Sequence, residues 1–235
     1  MPRTVASNAT PRFTSDTFAY LTQLAAHNDR PWFEANKQRY EAHVLAPALA
    51  FITAMAPRLR KISKHFVASP KRMGGSLMRV YRDTRFARDK SPFKTNIGIQ
   101  FRHERGRDVH APGFYLHIEP GGCFLGAGIW HPEAAALAAI RREIVERPKL
   151  WQRARDDARF MRHFTLGGAS LVKAPRGFAG DAPHVEDLKR KDFIAACVLT
   201  DRTIVRPALA DEVAEKLAGT RGLMTFLCGA LDLPY

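Results

Sequence analysis

The sequence predicts an α+β fold: an antiparallel β-meander with helices packed mainly on one face, an N-terminal helical pair and C-terminal helices. Hydrophobic residues follow a helical period before residue 57 and, apart from a strand-like run at 193–199, after residue 131. Between residues 57 and 131 they alternate with a period of two. Clean alternation over successive segments is typical of an antiparallel meander with one buried face. A chain of 235 residues, 46% of them hydrophobic, can build one large core.

The chain is expected to begin with a disordered arm. Residues 1–12 are polar and close on Pro11, a composition that favours disorder at a terminus. The remaining residues, 13–235, contain no internal repeat and no low-complexity tract. We therefore predict that 13–235 form a single α+β domain.

Prolines and capping residues divide the N-terminal helical region. A helix is expected to begin near Ser15, and a second one opens at Pro31, because proline is tolerated in the first helical turn. Pro47 lies inside the helical pattern and should kink or split it, since proline lacks the N–H that the helix needs. For the same reason, the periodic part is expected to end at Pro57.

The predicted sheet follows this region. Successive segments that alternate as strands lie at 76–82, 95–102, 114–119 and 123–130, and a further buried strand is expected at 193–199. Helical periodicity returns after Pro132, Pro148 and Pro207, and a last amphipathic helix carries Leu223, Phe226 and Leu227. Trp32, Trp130 and Trp151 are interpreted as core aromatics.

Positive charge is concentrated in one part of the chain. The formal net charge is +14, and twelve basic residues face only two acidic ones, Asp83 and Asp89, between Arg58 and Lys94. Such an excess attracts anions and speeds their association. An anionic small molecule, a nucleic acid or an acidic protein surface would each fit this charge, and a solvated basic face is the alternative without function.

The densest polar cluster is the connection between the first two predicted strands. Arginine forks match pairs of carboxylate or phosphate oxygens, and two acidic residues cannot neutralise every cation here. Phe86 and Phe93 are expected to anchor this connection on the core. The candidate ligand-binding residues are Arg79, Arg82, Asp83, Arg85, Asp89, Lys90, Lys94 and Asn96. In the alternative interpretation, the two aspartates only organise the arginines into a structural salt-bridge network.

A second polar cluster is expected on one face of the sheet. Alternation places Asn96, Gln100, Tyr115, His117 and Glu119 together, with room left above Gly126 and Gly128. His117 and Glu119 share a face, so the histidine beside a carboxylate is a candidate general base. The alternative is a polar sheet face that merely contacts water.

Other chemistry finds little support in the residues. Cys123, Cys197 and Cys228 are far apart, which disfavours a disulfide framework and a clustered zinc site. His103, His110 and His117 recur every seventh residue across a loop, a spacing that implies no metal site. No cofactor-binding motif is present, so the sequence does not identify a cofactor. Neither a signal-peptide core nor an apolar run of membrane-span length is found, and we expect a soluble, cytoplasmic protein without membrane contact.

Several segments resemble a widespread microbial and fungal family of unknown function. The resemblance lies mainly in the signature R-x-Y-R-D-T-R-F-x-x-D-K-x-P-F-K-T-N, which begins at Arg79, and in pieces that span nearly all the chain after residue 13. The family pattern has serine where this chain has Ala87, and tyrosine where it has Phe93. The resemblance implies one family domain and carries no activity that could be transferred.

The sequence thus leads to an anion-binding domain as the first hypothesis, with a phosphorylated or carboxylated small molecule as ligand. Whether a reaction follows binding is left open. A nucleic-acid-binding protein is the second hypothesis, although no recognition motif supports it. A non-catalytic interaction protein with a structural salt-bridge network is the third.

Overall fold

The structure is a computed structural model that describes residues 10–106 and 111–235. Residues 1–9 of the predicted arm and His110 lie outside the described residues. Residues 10–12 are exposed and have no regular secondary structure. Buried apolar residues from Phe13 to Cys228 form one contiguous hydrophobic cluster. The domain boundary at residue 13 stays a prediction.

The N-terminal helices begin at the predicted places. Thr14, one residue before the expected start, caps the first helix through a capping box with Thr17, and Asp29 caps the second helix, which has Pro31 in its first turn. The helices are α1 (Ser15–Ala26), α2 (Arg30–Ala35), α3 (Lys37–Tyr40) and α4 (Ala46–Ile62), with a π-helical turn at Glu41–Leu45 that joins α3 to α4.

Only one of the two inner prolines interrupts this region. The π-helical turn ends at Leu45, two residues before Pro47, as expected near a residue that removes one backbone donor. The prediction that Pro57 ends the helix is wrong, because α4 continues to Ile62. Pro57 and Thr53, whose carbonyl loses its helical donor, are both exposed. The buried Leu59 and Ile62 keep the last turn on the core.

The sheet is antiparallel throughout its described strands, and its strand order β1-β2-β3-β4-β6-β5 departs from a simple meander only at the last two strands. The strands are β1 (Phe66–Val67), β2 (Ile97–His103), β3 (Gly113–Ile118), β4 (Phe124–Ile129), β5 (Thr165–Gly167) and β6 (Phe193–Val198). The strand predicted at 76–82 is wrong as a continuous element. That segment forms the isolated bridges Leu77–Ile99 and Tyr81–Phe93 and no continuous ladder.

The register divides the sheet into two different faces. One face carries apolar side chains in rows such as Ile99–Leu116–Leu125–Cys197, and these are buried. The opposite face carries the row Gln100–Tyr115–Gly126–Ala196. The helices α4 and α11 contact the strands, and the α+β class with helices mainly on one face is confirmed.

The remaining helices follow β4 and β6 along the chain. They are α5 (Ala134–Glu146), α6 (Pro148–Arg155), α7 (Ala158–Met161), α8 (Val185–Leu188), α9 (Asp201–Ile204), α10 (Leu209–Ala218) and α11 (Arg221–Ala230). The starts predicted after Pro132 and at Pro148 are confirmed, and α10 and α11 are the predicted C-terminal pair. Trp151 is fully buried beneath α11, where its ring contacts Phe226.

One helical run is long and apolar enough to cross a membrane by length and composition alone. It spans Lys37–Ile62. Its residues Ile52, Met55 and Leu59 are fully buried in the hydrophobic core. This run is therefore a core helix of a globular domain.

Candidate functional site

The segment 79–96, called here the basic loop, is anchored at its base. Lys94 N–H donates to the Val80 carbonyl (2.7 Å) and Arg82 N–H to the Pro92 carbonyl (2.9 Å). The Phe93 ring stacks on Phe33 with 4.1 Å between centroids and is buried, as predicted. Phe86, by contrast, is 96% exposed, so the prediction that it anchors the loop is wrong.

Two ion pairs organise the loop. The Asp83 carboxylate accepts two hydrogen bonds from the Arg85 guanidinium, at 3.0 and 2.7 Å. Arg82 pairs with Asp89, which also accepts hydrogen bonds from Ser91. The hydrogen bonds from Arg85 lower the pKa of Asp83 to about 2, and those from Ser91 and then Arg82 hold the pKa of Asp89 far below its usual range. This part of the loop matches the salt-bridge alternative.

Not every cation of the loop is neutralised. The Lys90 ammonium donates to the Thr84 carbonyl at 2.9 Å. The side chains of Arg79, Arg88 and Lys94 form no hydrogen bond or ion pair with any residue that the structure describes. Lys94 is only partly exposed, and its pKa is lowered, first by burial and then by the charge of Arg79. Lys94 is thus a half-buried cation without a counter-ion in the described chain.

A hollow of about 390 Å³ lies at the base of the loop. We call it the polar hollow, and its described lining residues are Ala25, Asn28, Arg82, Asp89, Ser91, Phe93, Lys94, Thr95 and Asn96. Four of the predicted ligand-binding residues, Arg82, Asp89, Lys94 and Asn96, therefore meet here. The other four, Arg79, Asp83, Arg85 and Lys90, do not line it.

Asn28 positions this hollow, although it is not among the predicted site residues. Its side-chain amide donates to the Phe93 carbonyl (2.9 Å) and its side-chain oxygen accepts from Phe93 N–H (3.0 Å). The Asn28 side chain thus pairs with both backbone groups of Phe93, as a neighbouring strand would. These bonds hold the base of the loop against the corner between α1 and α2. The sequence offers two signals for Asn28: an asparagine beside Asp29 at a helix start, which by itself indicates a cap, and a place in the family-like piece 28–33.

The predicted polar cluster on the sheet forms a connected hydrogen-bond network. The amide nitrogen of Asn96 (3.1 Å) and the hydroxyl of Tyr115 (3.0 Å) both lie against Nδ1 of His117. The Asn96 amide nitrogen can only donate, so Nδ1 accepts and Nε2 carries the proton. Nε2 then donates to Oε2 of Glu119 at 3.1 Å. Gln100 lies opposite Tyr115 but outside this network.

This network has the arrangement of an acid–base group. His117 can accept a proton at Nδ1 once the Asn96 amide releases that nitrogen. The Tyr115 oxygen, 3.0 Å away, can then accept from Nδ1–H, while Glu119 stabilises the imidazolium that forms. Tyr115, which was expected only as part of the polar face, is a third member. Burial, and secondarily the charge of Glu119, raises the pKa of Tyr115 to about 12, so its hydroxyl keeps its proton at neutral pH.

A second and more apolar cavity covers the same face of the sheet. This sheet-face cavity has a volume of about 400 Å³. Its described lining residues are Met78, Gln100, Ala111, Gly113, Phe114, Tyr115, His117, Phe124, Gly126, Ala127, Gly128, Trp130, Ile194, Ala195 and Ala196. The room predicted above Gly126 and Gly128 is confirmed. Trp130, interpreted as a core residue, is 50% exposed and forms a wall of the cavity instead.

Glycine is required at one point of the cavity floor. Gly128 has a φ of +125°, and a Cβ there would lie 2.0 Å from the carbonyl oxygen of Phe193. At Gly126, the nearest atom to such a Cβ is 3.5 Å away, which is an ordinary contact. Gly128 is therefore required by the backbone, whereas Gly126 only leaves open the space that a side chain would fill.

Metal ligands are not grouped in the described residues. Within 10–106 and 111–235, no three His, Cys, Asp or Glu side chains come close enough to hold an ion. Cys123, Cys197 and Cys228 are buried and free, and burial raises the pKa of each thiol. Unreactive, buried thiols of this kind act as small apolar side chains.

A family model described as a conserved hypothetical protein matches residues 16–226. The chain belongs to this family, DUF2461. The match confirms the resemblance to a family of unknown function, while the particular signature of the basic loop stays a prediction. Both cavities lie inside the range matched to DUF2461. No curated protein and no solved structure matches the chain.

Proposed function

We propose that the protein binds a small anionic molecule, phosphorylated or carboxylated, in the polar hollow. The observation that carries this proposal is Lys94, a half-buried ammonium that lines the hollow and has no partner in the described chain. A buried charge is costly unless it is paired, so an anionic ligand at Lys94 would gain binding free energy. Arg82 and the Asn96 amide offer further donors beside it.

Charge alone would not select the hollow from the rest of the basic loop. Arg85 is exposed, is paired with Asp83, and does not line the hollow. Water and salt screen an exposed cation of this kind, so an anion gains little binding free energy there. The proposal therefore places the ligand at the base of the loop and not at its tip.

The proposal predicts a stabilising effect that depends on Lys94. At tenfold above the dissociation constant, pyrophosphate or citrate should raise Tm by about 3–6 °C, compared with sodium chloride of equal ionic strength. In Lys94→Met this shift should be lost, because the unpaired cation is removed. The measurement is a thermal unfolding series with each anion.

Two variants serve as matched controls, because each removes one positive charge outside the hollow. Lys64→Met removes an exposed lysine, and Arg85→Ala removes the tip arginine. Both should keep the anion-induced shift. An equal loss in all three variants would show a general charge effect and contradict a built site.

Nucleic acid is the second candidate, because Phe86 is exposed between Arg85 and Arg88 at the tip of the loop. An exposed ring flanked by cations suits base stacking and phosphate contact. In that case a single-stranded oligonucleotide should bind with a steep salt dependence, and Arg85→Ala should weaken it more than Lys94→Met does. Absence of binding at low salt removes this candidate.

We further propose that His117 and Glu119 would supply acid–base chemistry if a reaction follows binding. Their network reaches the polar hollow through Asn96, which lines the hollow and lies 3.1 Å from His117.

The cytoplasm is the proposed location, since free, unpaired cysteines suit a reducing compartment.

A further inference from the structure

The sheet-face cavity has a chemical character opposite to that of the polar hollow. None of its described lining residues is Lys, Arg, Asp or Glu. Its walls are largely aromatic: the ring of Phe124 stacks on His117 at 4.8 Å between centroids, and Tyr115 lies 5.8 Å from Phe124. Trp130 adds a half-exposed indole. His117, the only described lining side chain that can carry a positive charge, is paired with Glu119 at 3.1 Å. A charged ligand would therefore lose its hydration here without gaining an unpaired counter-ion.

The floor of the cavity is flat around Gly126. Gly126 and Gly128 place no side chain on it, and the partner of Gly126 on β6 is the small Ala196. The partner of Gly128 is Ile194, whose side chain bounds this flat area. A planar ring can therefore lie close to the strand backbone beside the aromatic wall. The volume of about 400 Å³ lies in the range of small-molecule sites.

Polar groups gather at one part of the lining. The Tyr115 hydroxyl lies against His117, which leaves lone pairs on its oxygen that can accept a hydrogen bond. The Gln100 side chain, opposite Tyr115, forms no hydrogen bond with any described residue. Together they present both a free acceptor and a free donor.

From this lining, we infer that the sheet-face cavity binds an uncharged, planar aromatic molecule with a hydroxyl or amide group at one edge. The ring lies on the glycine floor beside Trp130, and the polar edge meets Tyr115 and Gln100. This site is separate from the proposed anion site and does not depend on it. It is a binding site of a different ligand class on the same face of the sheet.

Benzamide and benzoate make a matched pair of probes, since they share a ring and differ in charge. Benzamide, titrated into isotope-labelled protein at neutral pH, should shift the backbone amide resonances of Gly126, Gly128 and Ala196 in a saturable manner. Benzoate should leave these three resonances unchanged. Resonance shifts caused by benzoate near Lys94 would show binding in the polar hollow only. Each of the two proposed sites can therefore be rejected without rejecting the other.

Three variants test the geometry. Ala196→Leu fills the floor and should weaken benzamide at least about tenfold, a loss of about 1.4 kcal/mol. Val198→Leu lies on the same face of the same strand but does not line the cavity, and should bind normally. Tyr115→Phe should weaken benzamide about fivefold, because one hydrogen bond is lost. Unchanged unfolding temperatures would show that each variant is folded.

The inference is overturned by any of three results. These are absence of saturable shifts in the wild-type protein, unchanged affinity in Ala196→Leu, or equal shifts of the floor residues with benzoate. The resonance mapping in the wild-type chain decides the first and third results without any variant.

Discussion

Thr17 is a polar residue with no exposed surface, and its hydroxyl joins the first helix to the π-helical turn that precedes α4. Its Oγ1 donates to the carbonyl of His43 at 2.8 Å and accepts from Thr14 N–H at 3.1 Å. The His43 carbonyl lies four residues before Pro47, which has no N–H to offer it. Thr17 thus replaces the donor that the proline removes.

This arrangement predicts a stability cost for Thr17→Val. Valine has the same shape but leaves the His43 carbonyl and the Thr14 N–H without their partner, so the free energy of unfolding should fall by about 1–3 kcal/mol. Urea unfolding measures the change. Thr53→Val is the control, since Thr53 is exposed and its hydroxyl bonds only to Leu49 within the same helix. Equal losses in both variants would contradict the role of Thr17.

The sequence predicts that Pro47 removes a hydrogen bond from the helix, but it does not predict that Thr17 replaces it. A proline inside a helical pattern indicates a missing hydrogen bond, and Pro47 could be recognised for that reason. Thr17 is 26 residues from His43. Only packing α1 against the π-helical turn brings the two together, so no local pattern could have paired them.

The basic loop, as an element, is held at its base and free at its tip. Phe93 is buried against Phe33, and Asn28 makes two hydrogen bonds to the Phe93 backbone. Between these anchors, the loop is organised by exposed ion pairs and leaves Phe86 in solvent. The base therefore sets the shape of the polar hollow.

We expect Asn28→Ala to loosen this loop. Loss of both hydrogen bonds should release the base, so trypsin should cleave after Arg85 or Arg88 faster than in the wild-type protein. Limited proteolysis with mass spectrometry gives the sites and rates. Asn36→Ala is the control, because Asn36 bonds to Trp32 and Arg39 and not to the loop. Unchanged cleavage in Asn28→Ala would show that Phe93 packing alone holds the base.

Residues 76–82, which lead into the basic loop, show why a continuous strand was wrongly predicted there. Met78 and Val80 alternate as in a strand, and Met78 N–H does donate to the Gly98 carbonyl. However, the bridges Leu77–Ile99 and Tyr81–Phe93 place residues 78–80 opposite 94–98. Three residues cannot form a continuous ladder with five, so the longer side, 94–98, bulges and interrupts the pairing. Alternation reports side-chain burial and not hydrogen-bond pairing.

Over the whole molecule, burial controls how the phenols and thiols titrate. Desolvation raises the pKa of Tyr40, Tyr115 and Tyr235 to about 12. It raises the pKa of Cys123 to about 11, and it also raises the pKa of Tyr20. In each case the folded state holds its proton more tightly than the unfolded chain does. These groups therefore favour the folded state below their ordinary pKa values.

Stability is accordingly expected to fall at alkaline pH. The unfolded chain releases its tyrosine protons near pH 10 and its thiol protons near pH 9, whereas the folded groups release them at about 11 to 12. The free energy of unfolding should decline as the pH rises through this window. Urea unfolding at several pH values, with tyrosinate absorbance, measures it. Titration of Tyr20, Tyr40, Tyr115 and Tyr235 near pH 10 in the folded protein would contradict the prediction.

The sequence by itself determined the α+β class, most strand and helix positions, and the shared face of Asn96, Tyr115, His117 and Glu119. These follow from periodicity, which is a local property of the chain. Only the tertiary structure decided which cations stay unpaired, because pairing depends on distances between side chains. It also placed Trp130 at a cavity and Asn28 beneath the loop, since both positions depend on how distant segments pack.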